Sequence, residues 1–134
     1  MNITKLGRIL ACVALLLSGP ALADDHGYVT GIRSDQPGDK VFRVNIEKVN
    51  GDEPGPSPNI RLPSGENSIT VSLVFNSLWS EKMQFTQQQI YQKDFVLEVE
   101  AGKTYFIGAL VDTNASEAAQ KDGSFWDPVI VKTE

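Results

Sequence analysis

Residues Phe95–Val111 read FVLEVEAGKTYFIGALV, two largely apolar runs on either side of a break at Ala101-Gly102-Lys103. Along the first run every second residue is apolar and the others become acidic, which is typical of a strand with one buried face. The second run is apolar at odd and even positions alike, which predicts an interior strand covered on both faces. Gly102 can take a positive φ at little cost, so the segment predicts two strands folded into a hairpin.

The remainder of the chain shows similar short apolar runs, separated by turn-forming residues. Further strands are predicted at Tyr28–Ile32, Val41–Val49, Ile60–Leu62, Ser68–Phe75 and Phe125–Lys132. Clusters of Pro, Gly, Asn and Asp lie between most of them, and a helical turn is expected over Ser116–Lys121. The sequence therefore predicts an all-β fold, a single antiparallel β-sandwich of about five to seven strands, with a small β-barrel as the alternative.

The first 23 residues have the layout of a secretory signal peptide. Basic residues precede the apolar run Ile9–Leu17, which is too short to span a bilayer, and Ala21-Leu22-Ala23 offers a cleavage site. We therefore expect residues 1–23 to be removed after Ala23 and residues 24–134 to form one β-sandwich domain. The mature protein would then be periplasmic or secreted.

Processing would also change the composition of the chain. Cys12 is the only cysteine, so the mature protein would have neither a disulfide nor a thiol. A lipoprotein leader built on Cys12 is the alternative, although it would leave almost no apolar run ahead of that cysteine. Loss of Lys5 and Arg8 takes the net charge from −5 to −7, which argues against nucleic acid as a partner. No later run is long and apolar enough for a transmembrane segment.

Two motifs resemble those of small bacterial cell-envelope β-domains. Leu62–Val71 reads LPSGENSITV and Val99–Tyr105 reads VEAGKTY. Together they are similar to the LPxGxHxLxV…AGKTY pattern of PEGA-like modules and of several periplasmic families, with Asn67 where those families often have His. The resemblance implies a sandwich domain that serves the bacterial envelope, and it implies no catalytic residues.

The sequence carries few of the residues that catalysis needs. It has one histidine, His26, close to the expected mature N-terminus, and no motif of a nucleophile elbow, a zinc protease or a P-loop. Glu98 and Glu100 alternate onto one strand face, a spacing that a carboxylate-based hydrolase could use. A solvated edge beside Lys103 is the favoured interpretation, so we expect no enzyme.

Aromatic residues near the predicted loops are the candidates for ligand binding. Trp79, Phe85 and Tyr91 lie in one long connection, and Trp126 stands near the start of the last strand. Such rings could form the floor of a sugar or peptide groove. The alternative is that they close the open ends of the sandwich.

The expected mature N-terminus reads Asp24-Asp25-His26. Its α-amine, two backbone amides and imidazole could supply four nitrogens in a square plane, the geometry that Cu(II) and Ni(II) prefer. We therefore expect no cofactor, although this loose N-terminal tail could bind copper or nickel in vitro; the alternative is that the histidine stands there by accident.

Taken together, these features predict an exported, periplasmic, non-enzymatic binding or accessory domain. Its contact surface would be the connections 50–59, 76–94 and 112–126, since a rigid scaffold usually carries function on its loops. Its partner would be an envelope protein or a small ligand. The alternatives are a subunit of an envelope assembly that pairs through an exposed strand edge and, less favoured, the carboxylate-based hydrolase.

Overall fold

The computed structural model describes residues 4–5, 25–74 and 91–134. Within these ranges the strands are β1 (Thr4–Lys5), β2 (His26–Gly31), β3 (Val41–Phe42), β4 (Val44–Val49), β5 (Ile60–Pro63), β6 (Gly65–Leu73), β7 (Gln92–Val99), β8 (Thr104–Val111) and β9 (Trp126–Thr133). A 3₁₀ helix at Pro37–Asp39 and a short α-helix, α1 (Glu117–Asp122), are also present. Seven of the described strands have four or more residues.

The strands form two sheets. The large sheet has the order β1-β9-β8-β2-β5, with β3 beside the second half of β8, and the small sheet has the order β4-β6-β7. Every pairing between described strands is antiparallel except that of β2 with β8, which is parallel. The predicted all-β sandwich is confirmed in place of a closed barrel, and its large sheet is mixed rather than purely antiparallel.

The hairpin predicted at Gly102 is wrong, although the turn is where the sequence indicates. β7 and β8 belong to different sheets, so the chain crosses from one layer to the other at this turn. Gly102 has a φ of 81°, and its N–H donates to the carbonyl oxygen of His26 in β2. β8 cannot pair with β7 because β9 occupies one of its edges and β2 with β3 the other.

The main core lies between the two sheets. From β8 it receives four buried side chains, those of Tyr105, Ile107, Ala109 and Val111. The opposite face of β8 carries Phe106 and Leu110, which pack against a second, smaller cluster of buried residues: Ile32, Val41, Val129 and Val131. The prediction that this strand is covered on both faces is therefore confirmed for the inner face and only in part for the outer one, where Phe106 and Leu110 are half-buried.

The run Val41–Val49, predicted as one strand, is divided at Arg43. β3 pairs with β8 in the large sheet, whereas β4 pairs with β6 in the small sheet, so the chain changes layers here. Asp35 Oδ1 accepts hydrogen bonds from the backbone N–H of Arg43 at 2.9 Å and from its Nε at 3.3 Å. These bonds hold the corner.

The short helix and the N-terminal strand also bear on the sequence predictions. The helical turn is confirmed as α1, whose N-cap Ser116 accepts a hydrogen bond from the N–H of Ala119 at 3.1 Å. Thr4 and Lys5, in the predicted signal peptide, pair with β9 at Ile130 and Val129. None of the helices in the part of the chain described here has the length and apolar character needed to cross a membrane.

Candidate functional site

A cavity of about 500 Å³ opens on the outer face of the large sheet, and we call it the outer-face cavity. It lies between the β2–β3 connection and strands β8 and β9, and its described lining consists of Ile32, Arg33, Ser34, Gln36, Phe106, Val131 and Lys132. Sites for small molecules typically enclose roughly 300–1,000 Å³. The cavity is therefore large enough for a small ligand.

The floor of the outer-face cavity is apolar because β8 presents an aromatic ring away from the core. Phe106 lies between Tyr105 and Ile107, which are both buried between the sheets, so strand alternation directs its side chain to the outer face. Ile32 and Val131, which belong to the second core cluster, lie beside it. The floor is thus supported by packed residues.

Gly108 lets the β2–β3 connection approach the sheet closely. A Cβ atom at this position would lie 2.9 Å from Val41 Cγ1, 3.0 Å from Val131 Cγ2 and 3.1 Å from Ile32 Cδ1. These contacts are too short for an ordinary Cβ. The absence of a side chain at Gly108 therefore sets the distance between the sheet and the segment that walls the cavity.

The wall itself is fixed by backbone hydrogen bonds. The N–H of Gln36 donates to the carbonyl oxygen of Val41 at 2.7 Å. In return, the N–H of Val41 donates to the carbonyl oxygen of Gln36 at 3.1 Å. These bonds close the connection around the 3₁₀ helix Pro37–Asp39. Gln36 Oε1 is buried and accepts no hydrogen bond within the described residues. Because the backbone hydrogen bonds fix this wall, the cavity is largely preformed.

Two cations stand at the rim. Lys132 Nζ lies 4.6 Å from the centroid of the Phe106 ring and 2.9 Å from Glu134 Oε2. Arg33 is exposed and makes no ion pair with any described residue. The described lining contains no carboxylate. A cavity of this composition can hold a molecule with an apolar body and a negatively charged group.

A second cavity of about 310 Å³ adjoins the first, along the seam between β2 and β4. Pro54, Gly55 and Pro58 line it, and they belong to the connection 50–59 that the sequence predicted as a contact surface. Ile32 and Arg33 line both cavities. Arg33 thus stands where the two cavities meet.

Among the predicted aromatic ligand residues, Trp126 lines a cavity of about 320 Å³ at the connection 112–126. Trp126 is 1% exposed and belongs to the inter-sheet core. Tyr91 is half-buried, packs edge-to-face on Phe125 at 6.3 Å between ring centroids, and has its phenol pKa raised by burial. Trp79 and Phe85, with most of the connection 76–94, lie outside the described residues.

Trp126 and the end of the connection 112–126 are held by a contact across the sheets. Lys93 of β7 donates a hydrogen bond to the carbonyl oxygen of Trp126, and its Nζ lies 5.2 Å from the indole centroid. Asp127 Oδ1 is 3.6 Å from the same ammonium. These contacts give Lys93 a structural part that sequence reasoning missed.

The predicted N-terminal metal site involves a histidine that is not on a loose tail. His26 is the first residue of β2, and its Nδ1 lies 3.3 Å from Arg61 Nη2. Its Nε2 lies 3.3 Å from the Tyr28 hydroxyl. A metal ion would have to displace one of these contacts. Asp24 lies outside the described residues, so the copper site stays a prediction.

The carboxylates predicted for a hydrolase lie apart from the cavities. Glu98 and Glu100 are exposed, and Glu98 faces Glu66 across the β6–β7 pair. Neither carboxylate lines one of the cavities described above. Within residues 25–74 and 91–134, no three His, Cys, Asp or Glu side chains are grouped so as to hold a metal ion.

Sequence reasoning missed the outer-face cavity. Residues 34–39 read only as a turn cluster, and the signal that could have found the cavity was the apolar second face of β8, at Phe106 and Leu110. Comparisons of the chain with protein-family models, with curated proteins and with solved structures yield no match. The resemblance to PEGA-like modules therefore stays a prediction.

Proposed function

We propose that the chain is an exported, non-enzymatic binding domain that takes a small, largely apolar ligand into the outer-face cavity. The observation that carries the proposal is that an apolar floor and a cationic rim meet in a single cavity of about 500 Å³. Export rests on the signal peptide predicted at residues 1–23. Periplasmic or secreted localisation is part of the same proposal.

The energetics favour a ligand that covers the Phe106 ring. Removing apolar surface from water contributes about 25 cal/mol per Å², and Phe106 is only half-buried without a ligand. Because Ile32 and Val131 are already packed beside it, little of the site must be ordered on binding. A preformed site loses less free energy to ordering than a flexible one does.

The test uses 1-octanol as a neutral apolar probe. The exported protein, labelled at Ile and Val methyl groups, is titrated and followed by NMR. We expect saturable shifts at Ile32 and Val131, and we expect Phe106→Ala to weaken binding. Val96→Ala serves as the matched control, because Val96 is exposed on the small sheet. Shifts that do not saturate, or that occur only elsewhere, would contradict the proposal.

A second candidate function is a subunit that pairs through the outer edge of β9. The observation in its favour is that Thr4 and Lys5 pair antiparallel with Val129 and Ile130 on this edge. If residues 1–23 are cleaved, the strand that covers this edge leaves with them, and an uncovered edge can accept a strand from another chain. Light scattering on the processed protein tests this, since a strictly monomeric protein at high concentration argues against self-pairing.

A further inference from the structure

We infer that the ligand of the outer-face cavity is an amphipathic anion of the medium-chain carboxylate class, and that its head group binds Lys132 in exchange for Glu134. This inference rests on the proposed function and adds the chemistry of the ligand. It depends on how the charged groups at the rim are arranged relative to the apolar floor.

The ammonium of Lys132 stands at the border between apolar floor and solvent. Its Nζ is 4.6 Å from the centroid of Phe106, so the ring that would contact an alkyl chain and the charge that would contact a head group are adjacent. A ligand with a carboxylate at one end of a short apolar chain satisfies both contacts at once. A neutral chain would satisfy only the ring.

Glu134 already supplies an anion to Lys132. The Glu134 backbone is fixed by two hydrogen bonds with Thr104, of 2.7 and 2.9 Å, which keeps its carboxylate beside the ammonium. The side chains of Lys132 and Glu134 are 56% and 59% exposed, and an ion pair this exposed is weak. A ligand carboxylate can therefore replace that of Glu134 at small cost.

Arg33 adds a second positive charge from the opposite wall. It forms no ion pair within the described residues, and it lines the outer-face cavity together with Lys132. Two cations and no lining carboxylate favour an anion over a cation of equal size. The protein as a whole has a net charge of −5, so this local charge opposes the overall one.

The experiment compares octanoate, 1-octanol and octyltrimethylammonium by calorimetry and methyl NMR at low salt, using the exported protein. We expect octanoate to bind about tenfold more tightly than 1-octanol, and the cation to bind least. Lys132→Gln and Arg33→Gln should each weaken octanoate binding about two- to fivefold, and each should affect octanoate more than 1-octanol because only octanoate carries a charge. Lys103→Gln is the matched control, since Lys103 is exposed and lies outside the cavity lining.

Glu134→Gln gives the decisive result, because it removes the competing carboxylate without removing a cation. We expect octanoate to bind about two- to fivefold more tightly to this variant, with no change for 1-octanol. If 1-octanol binds as tightly as octanoate, or if Glu134→Gln leaves octanoate binding unchanged, the inference is overturned while the binding proposal stands. If neither probe binds at the cavity, both fail.

Discussion

Asn50 Nδ2 donates a 2.9 Å hydrogen bond to Asn67 Oδ1, which joins the end of β4 to the start of β6. Asn67 is only 1% exposed, and its own Nδ2 donates to the carbonyl oxygens of Pro63 and Gly65 at 2.8 and 3.1 Å. Asn50 Oδ1 in turn accepts from the N–H of Ser68. The buried amide is therefore fully engaged, and it holds the point where the chain passes from the large sheet to the small one.

Asn67→Leu should destabilise the protein by about 1–3 kcal/mol, because the groups that its amide satisfies would be left buried without partners. Urea denaturation measures the free energy of unfolding. Ser57→Ala is the control, since the hydrogen bonds of Ser57 are exposed and its loss should have little effect. A cost for Asn67→Leu no larger than that of the control would contradict this assignment.

Gly102→Val should destabilise the protein by about 1–3 kcal/mol through backbone strain alone. Gly102 has a φ of 81°, and nothing lies within 4 Å of the position where a Cβ would be added, so no steric clash contributes. Thermal unfolding is the measurement, with Gly55→Val as the control at an equally open position without positive φ. Equal melting temperatures for the two variants would show that the turn is misplaced.

Gly108→Ala should cost about 1–3 kcal/mol for a different reason, the overpacking of a filled space. The added methyl would press on Val41, Val131 and Ile32 and would push the β2–β3 connection away from the sheet. We therefore expect reduced stability together with weaker binding of 1-octanol. Unchanged stability and binding would argue against the close approach described here.

Asp122 should titrate below the ordinary range for an aspartate. The Oγ of Ser124 donates to its carboxylate at 2.6 Å and the backbone N–H of Ser124 at 2.9 Å, and both bonds lower the pKa of Asp122 because they favour the charged form. Folding is thus favoured above the ordinary aspartate pKa, and this contribution is lost as the pH falls through the lowered value. Carboxyl NMR titration measures it, and Ser124→Ala should raise the pKa. An unchanged pKa in that variant would refute the cause.

The sequence predicted which residues form strands better than which strands pair. Alternation in residues 95–111 correctly indicated the buried faces of β7 and β8, since it reports the side of a strand that meets the core. It could not report the partner strand, and the two turned out to lie in different sheets. Local pattern does not encode that both edges of β8 are already occupied.

The candidate site was harder to predict from the sequence than the strands were, for a related reason. Its lining comes from three separate segments, residues 32–34 with Gln36, Phe106, and residues 131–132, and only the strand order brings them together. The aromatic residues predicted as ligand contacts are large enough to serve the core, and Trp126 does so. Composition alone does not distinguish an aromatic that packs from one that binds.

The most direct test of the binding proposal is to locate a bound probe by intermolecular NOEs between octanoate methylene protons and the protein. The account predicts NOEs to the ring of Phe106 and to the methyl groups of Ile32 and Val131, which disappear in Phe106→Ala. NOEs confined to other surfaces, such as Pro54 and Pro58, or the absence of any saturable NOE, would contradict it.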